Sequence, residues 1–421
     1  MEIMQILQAI SGLVVFVGIA VLCSENRQLP SWRLMLTGFG LQFLFAFGVF
    51  NIQFLQQFLS LLNDGVGAIV AATETGSLFV FGFLGGDPAN VDYPFSISNS
   101  AATMVLAFRV LPLILVFTVL SAILWHYKVL PQVVRGFSFV LRKSMNVSGA
   151  VGLSSAANIF VGMVESPALI RPYIKVLSRG ELFIVMSCGM ATIAGTVMVL
   201  YSVVLQGVID NPLGHIITAS VISAPAAIML AIIMVPETGK VSGDDIKLHT
   251  HYHSLMDAIT KGTEDGLKLM VNVGAMILVL VALVALLNSA LSVLPFPGEE
   301  SLTLQKIFGY AFALLSWLMG IPWSEALTAG ELLGIKTALN ELLAFFALVE
   351  LPAGALSDKS ALIMTYALCG FANFGSLGIM IAGLSGMCPE RAQEIVQLAP
   401  KSLISGTLAT CMTGAIAGML G

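Results

Sequence analysis

Residues 3–22 form an apolar stretch with no charged side chain between Glu2 and Glu25. Runs of similar length recur down the chain. About 20 apolar helical residues cross the hydrocarbon core of a bilayer, roughly 30 Å thick. A backbone that meets no water there must satisfy its own polar groups, which a helix does. Eight such runs fall near 3–23, 33–53, 104–125, 182–209, 213–235, 268–292, 361–384 and 402–420. The prediction is an all-α polytopic membrane protein with eight transmembrane helices, and its first partner is the lipid bilayer. Charged residues make up 10% of the chain, against roughly 25% in a soluble domain, too few to coat a water-exposed surface. With 19 Lys+Arg against 24 Asp+Glu, no basic field exists to bind nucleic acid. Cys23, Cys188, Cys369, Cys388 and Cys411 are scattered, without a CxxC pair, which argues against a disulfide framework or a zinc site. The first run lacks a basic leader and is long enough to span, so it reads as a retained helix.

The charges give the orientation. Fifteen of the 19 Lys+Arg alternate with the spans as the positive-inside rule requires. Arg27 and Arg33 follow span 1, and Lys128, Arg135, Arg142, Lys143, Arg171, Lys175 and Arg179 lie between spans 3 and 4. Lys240, Lys247, Lys261 and Lys268 separate spans 5 and 6, and Arg391 and Lys401 precede span 8. The opposite loops carry Asp87, Asp92, Asp210, Glu299 and Glu300. Both termini are expected on the non-cytoplasmic side.

Segments 144–177 and 323–351 are apolar but too broken for one helix, and each holds an acid. They read as two opposed re-entrant hairpins, tolerated where they are buried in protein or line a cavity. Each is followed by two spans, which gives an inverted repeat in which Glu165 and Glu341 lie 176 residues apart. The expected organisation is scaffold helices at 1–143, a first repeat at 144–235, a connecting loop, span 6 and an interfacial helix at 236–322, and a second repeat at 323–421.

An acid within the membrane costs a few kcal/mol on insertion scales. Glu165, in Asn158-Ile-Phe-Val-Gly-Met-Val-Glu165, is therefore a functional candidate, against the alternative of a structural acid paired with Arg171. Glu341, in Leu339-Asn-Glu341, carries the same argument, and the two are expected to line one midplane cavity. Gly370-Phe-Ala-Asn-Phe-Gly-Ser376 in span 7 predicts an unwound stretch, unless Asn373 only glues helices together. Ala191-Thr-Ile-Ala-Gly-Thr-Val197 interrupts span 4 in the same way. Carboxylate, amide, hydroxyl and aromatic groups suit a polar, uncharged solute with an aromatic part. His249, His251 and His253 form an alternating run that reads as solvated rather than metal-binding. No P-loop, H-E-x-x-H or Ser-His-Asp pattern is present, and no cofactor is expected.

Taken in order, these motifs resemble the concentrative nucleoside transporter family across nearly the whole chain. The carrying residues are Ala157-Asn-Ile-Phe-Val-Gly162 with Glu165, Arg171-Pro-Tyr173, Ala191-Thr-Ile-Ala-Gly195, Asn340-Glu341 and Gly370-Phe-Ala-Asn-Phe374, supported by Phe79-Val-Phe-Gly82 and Val110-Leu-Pro112. The resemblance implies a homotrimeric, sodium-coupled nucleoside importer of the inner membrane. It implies nucleobase contacts at Gly162, Met163, Val164, Glu165, Val197 and Phe371, and ribose contacts at Glu341, Asn373 and Ser376. Sodium would be held by the side chains of Asn158 and Thr192 and the carbonyls of Val161 and Ile193.

The chain departs from the family at two points. Many members have Gly-Gln-Thr-Glu where it has Gly162-Met-Val-Glu165, and a Ser where it has Gly375. Gly162-Met163 and Thr196-Val197 resemble the purine-preferring members. Gly162 is expected to clear space for a second ring, and Met163 to offer a polarizable face. The residues leave open coupling to protons through Glu165 or Glu341, a preference for pyrimidines, a passive channel, and an intramembrane enzyme using the two acids as an acid/base pair.

Overall fold

The computed structural model describes residues 2–86, 91–97, 103–236, 252–293 and 302–421. His249, His251, Asp87, Glu299, Glu300, Lys240 and Lys247 lie outside the described residues. The chain begins with α1 (Glu2–Leu22), α2 (Trp32–Asn51), α3 (Gln53–Phe81), the single turn α4 (Leu106–Arg109), α5 (Pro112–His126) and α6 (Val129–Met145). A first hairpin holds α7 (Gly149–Ala157), α8 (Glu165–Ala168) and α9 (Arg171–Ile174). It leads into the broken helix α10 (Arg179–Ala191) and α11 (Gly195–Val204), then α12 (Pro212–Met234). α13 (Leu255–Leu291) and α14 (Leu304–Leu318) come next. The second hairpin, α15 (Trp323–Ala338) and α16 (Glu341–Val349), leads into the broken helix α17 (Asp358–Leu368) and α18 (Phe374–Met387) and ends with α19 (Ala392–Leu420). The order hairpin, broken helix, helix occurs twice, as the hydropathy predicts.

Local chemistry sets the ends of these helices. α10 starts with a full capping box. The Ser178 hydroxyl accepts from the Glu181 N–H, and the Glu181 carboxylate accepts from the Ser178 N–H at 2.9 Å. α16 and α18 are capped by asparagines, Asn340 accepting from the Leu343 N–H and Asn373 from the Ser376 N–H. α10 stops where Thr192 turns extended, at φ −112° and ψ 173°.

Among the described residues, eight helices are long and apolar enough to cross a membrane, but they are not quite the eight runs predicted. α3 with the turn after it, Gln53–Gly85, qualifies although it was not foreseen, and the run at 361–384 is divided between α17 and α18. An ion-pair cluster constrains the number of crossings. Glu25, after α1, meets Arg179 at 2.9 Å and Lys401 of α19 at 2.9 Å, and Arg179 also reaches Glu394 at 3.5 Å. The three segments therefore lie on one side of a bilayer, and the chain crosses an even number of times between each pair. α2 and α5 satisfy this between Glu25 and Arg179, whereas adding α3 would make three crossings. An even count leaves one of α2, α3 and α5 out of the crossing set. α10–α11, α12, α13 and α17–α18 supply the four crossings to Lys401. With α17–α18 counted as one crossing and α3 left out, the count is again eight, with the hairpins entering and returning.

α10, α11, α12 and α19 form the centre, and α10–α11 is buried along almost its whole length. α13 has no buried part in its most apolar stretch, with Leu278 70% and Leu286 68% exposed.

Candidate functional site

The break in span 7 and the tip of the second hairpin meet at one carboxylate. Glu341, the first residue of α16, accepts from the Tyr201 hydroxyl at 2.5 Å and from the Asn373 amide at 2.8 Å. Asn373 also accepts from the Ser376 N–H at 2.7 Å, so one amide caps α18 and orients Glu341. All four residues are buried. The predicted ribose set Glu341, Asn373 and Ser376 is one hydrogen-bonded unit. Tyr201, the other donor to Glu341, was not foreseen. It lies one helical turn after Val197, on the same face of α11, and packs its ring on Phe345 at 5.2 Å.

The two breaks are bonded to each other and to the first hairpin. Phe371 N–H donates to Thr192 O at 3.2 Å, and Gly195 N–H donates to Phe160 O at 3.1 Å. The Thr192 hydroxyl donates to Asn158 O at 3.1 Å and to Cys188 O at 3.0 Å. Asn158, Thr192 and Ile193 are buried together, and Asn158 Nδ2 has no hydrogen-bond partner. Gly195 must be glycine, because a Cβ would run into Phe160 O.

The first hairpin wedges between α10 and α18. Met163 sits over Gly189, where a Cβ would meet its Cβ at 3.1 Å, and Val164 sits over Gly383, where a Cβ would meet its methyls at 2.9 Å. α18 links the two hairpins, since it carries both Gly383 and the Asn373 cap that holds Glu341. The tip of this hairpin packs closely on itself and on α10. Gly162 makes room for the Glu165 carboxylate, which folds back over it so closely that any Cβ would overlap. Met163 is 7% exposed and lies in the apolar core, because its position on Gly189 turns it into the packing of α10. Val197 is also buried, Phe371 half-buried and Glu165 exposed. Arg171 is exposed at the start of α9.

Among the described residues, no group of three His, Cys, Asp or Glu could hold a metal ion. His253 uses its backbone N–H to bond Asp257 at 2.9 Å. A hard cation would instead have to be held by neutral oxygens, such as the Thr192 hydroxyl and the Asn158 carbonyl, 3.1 Å apart.

Comparison with known proteins gives a consistent result. Residues 215–418 match the Na+ dependent nucleoside transporter C-terminus, residues 11–84 its N-terminus, and residues 107–207 a Gate pattern described as nucleoside recognition. The nucleoside permease NupC of Helicobacter pylori is 34% identical over 98% of this chain and 97% of its own. The putative nucleoside permease NupX of Escherichia coli is 34% identical over 99% of both chains. The solved structure of CNTnw in an inward-facing substrate-bound state is 34% identical and superposes with a TM-score of 0.89, covering 100% of this chain and 98% of that one. With matches at this identity along its whole length, and a fold built around two hairpins and two bonded breaks, the chain belongs to the family of Na+-dependent, concentrative nucleoside transporters.

Proposed function

We infer that this transporter imports nucleosides, purine nucleosides in preference, on a sodium gradient by alternating access. The carrying observation is the buried unit Tyr201–Glu341–Asn373–Ser376. A carboxylate has about four acceptor sites, and two of those on Glu341 are taken by Tyr201 and Asn373. The remaining lone pairs suit the two hydroxyls of a ribose. Gly162, Met163, Val164, Glu165, Val197 and Phe371 form the base end in this reading, with Glu165 as the polar contact and the half-buried Phe371 as the aromatic one.

Sodium coupling draws on the first hairpin. Asn158 and Thr192 supply side-chain oxygens without charge, and Val161 and Ile193 supply carbonyls. The unpartnered end of the Asn158 amide supports this, because the amide can present its oxygen in that position after a flip. The Phe371–Thr192 and Gly195–Phe160 bonds tie the cation region to the substrate region, so occupancy of one bears on the geometry of the other. The first repeat (144–235) and second repeat (323–421) then move against the helices of 1–143 and 236–322. The exposed side of α13 faces lipid and neighbouring copies in a homotrimer of the inner membrane. Both termini are non-cytoplasmic.

The test is uptake of labelled adenosine into proteoliposomes. An inward sodium gradient gives accumulation above equilibrium, and replacing sodium with choline at fixed pH abolishes it. Uptake driven only by a pH gradient overturns sodium coupling, and a chemically altered product overturns transport.

A further inference from the structure

Lys336 is a buried lysine outside the candidate substrate and sodium contacts. It lies on α15 and is 1% exposed. Its ammonium donates to the Ala367 carbonyl at 2.8 Å and to the Thr410 hydroxyl at 2.9 Å, both uncharged oxygens. Burying a charge is costly without close, well-aimed partners, and an ionisable group at membrane depth calls for a functional account.

The break in span 7 explains these partners. In an unbroken helix the Ala367 carbonyl would accept from the N–H four residues on, that of Phe371. That N–H is diverted to Thr192 O, and Lys336 takes its place. The carbonyl belongs to the last turn of α17, the negative end of the helix dipole, where a cation is stabilised. Thr410 in turn donates to Thr407 O at 3.0 Å, which leaves its oxygen free to accept from the lysine. It also packs against Gly370 in the break, where a Cβ would meet its methyl at 2.6 Å.

The first repeat has the same architecture without the lysine. α10 ends in a similar break beside the first hairpin, and Gly195 N–H is diverted there to Phe160 O. α7 ends at Ala157 and α15 at Ala338, so Ser155 stands two residues before the first end and Lys336 two residues before the second. The Ser155 hydroxyl is buried there, beside the Cys188 thiol and with no charged partner. Discontinuous membrane helices commonly offer their C-terminal ends to a transported cation. We propose that Lys336 is the fixed cation of the second repeat: its ammonium holds the end of α17 as the coupling ion holds the end of α10, so the chain recruits an ion to one repeat only. The comparison with the first repeat rests on the sodium reading above, whereas the contacts of Lys336 do not.

The test uses the full chain in detergent, with adenosine binding measured by calorimetry. Every buffer holds the same sodium concentration and is made up to one ionic strength with choline or with methylammonium. Lys336→Ala weakens binding by about tenfold or more in choline, and methylammonium, which fits the vacated space, restores most of the loss. Lys336→Met fills the space without a charge and is not restored. If Lys336→Ala is too unstable to bind, its melting temperature is compared in the two buffers, and a rise with methylammonium absent from wild type and Lys336→Met supports the proposal. Wild-type binding by Lys336→Ala in choline overturns it, as does equal behaviour of that variant in choline and methylammonium. Wild-type uptake indifferent to sodium refutes sodium coupling alone, and the methylammonium comparison still decides the role of Lys336.

Discussion

Glu341→Gln separates binding from folding more cleanly than any other change at the site. The buried carboxylate accepts from Tyr201 at 2.5 Å and from Asn373 at 2.8 Å. A glutamine can keep both neighbours: its oxygen accepts from Asn373, and its amide N–H donates to the Tyr201 oxygen, since a hydroxyl both donates and accepts. The protein should therefore fold, losing the charge assistance of two bonds and the acceptor of the Tyr201 O–H. The substrate fares worse. One glutamine oxygen already engaged by Asn373 has a single lone pair left where the carboxylate had about two free sites. One ribose hydroxyl then has no acceptor for its proton, at about 1–3 kcal/mol, and the other loses a charge-assisted bond. The total of about 2–4 kcal/mol is roughly a 30- to 1,000-fold loss of affinity. Calorimetry with adenosine, 2′-deoxyadenosine and 3′-deoxyadenosine measures it as a cycle. Removing the contacted hydroxyl should weaken binding to wild type and cost the variant much less. A folded Glu341→Gln protein that binds adenosine within about threefold of wild type, or deoxy penalties equal in both proteins, would refute the ribose assignment.

Three further outcomes are expected. Thr192→Val removes one oxygen from the cation region and the bond to Asn158 O, so the sodium concentration for half-maximal uptake should rise about tenfold or more; an unchanged sodium dependence argues against this residue as a ligand. Unlabelled adenosine, inosine or guanosine should compete with labelled adenosine better than uridine or cytidine do, with Val164→Thr narrowing the gap; uridine outcompeting every purine nucleoside sinks the preference. Arg179, followed by Lys401, holds the Glu25 carboxyl down at about 2 against an ordinary 4.5, so this stabilisation is present in full above pH 4.5 and is lost as pH falls toward 2. Solvent screening leaves it about 1 kcal/mol, and the melting-temperature gap between wild type and Glu25→Gln should close over that acid range; a gap that persists at the acid end contradicts the ion-pair account.

Much of the site was legible because it breaks rules that local sequence obeys. An acid in an apolar segment, as at Glu165 and Glu341, or glycines around an asparagine, as at Gly370–Ser376, conflict with a plain spanning helix. Such conflicts tend to mark function. Tyr201 and Lys336 gave no comparable signal. A tyrosine in a span is ordinary, and Lys336 reads as a charge in an already broken segment. Their meaning lies in partners 140 and 31 residues away. Gly162 and Met163 were legible as unusual, but what they pack against was not. Their neighbours, the Glu165 carboxylate and Gly189 of α10, are fixed by how the hairpin folds back.

Apolar run length and the distribution of Lys and Arg determined the eight crossings and the two hairpins, because transfer from water to lipid acts on each segment separately. The contacts of Glu25 with Arg179 and Lys401 add a constraint that run length does not carry, an even number of crossings between the segments they join. Tertiary structure alone also chose which polar groups share a hydrogen bond at the two breaks. An interrupted helix frees donors and acceptors, but whether Phe371 N–H finds Thr192 or the Ala367 carbonyl finds Lys336 depends on segments that meet only after the helices have packed.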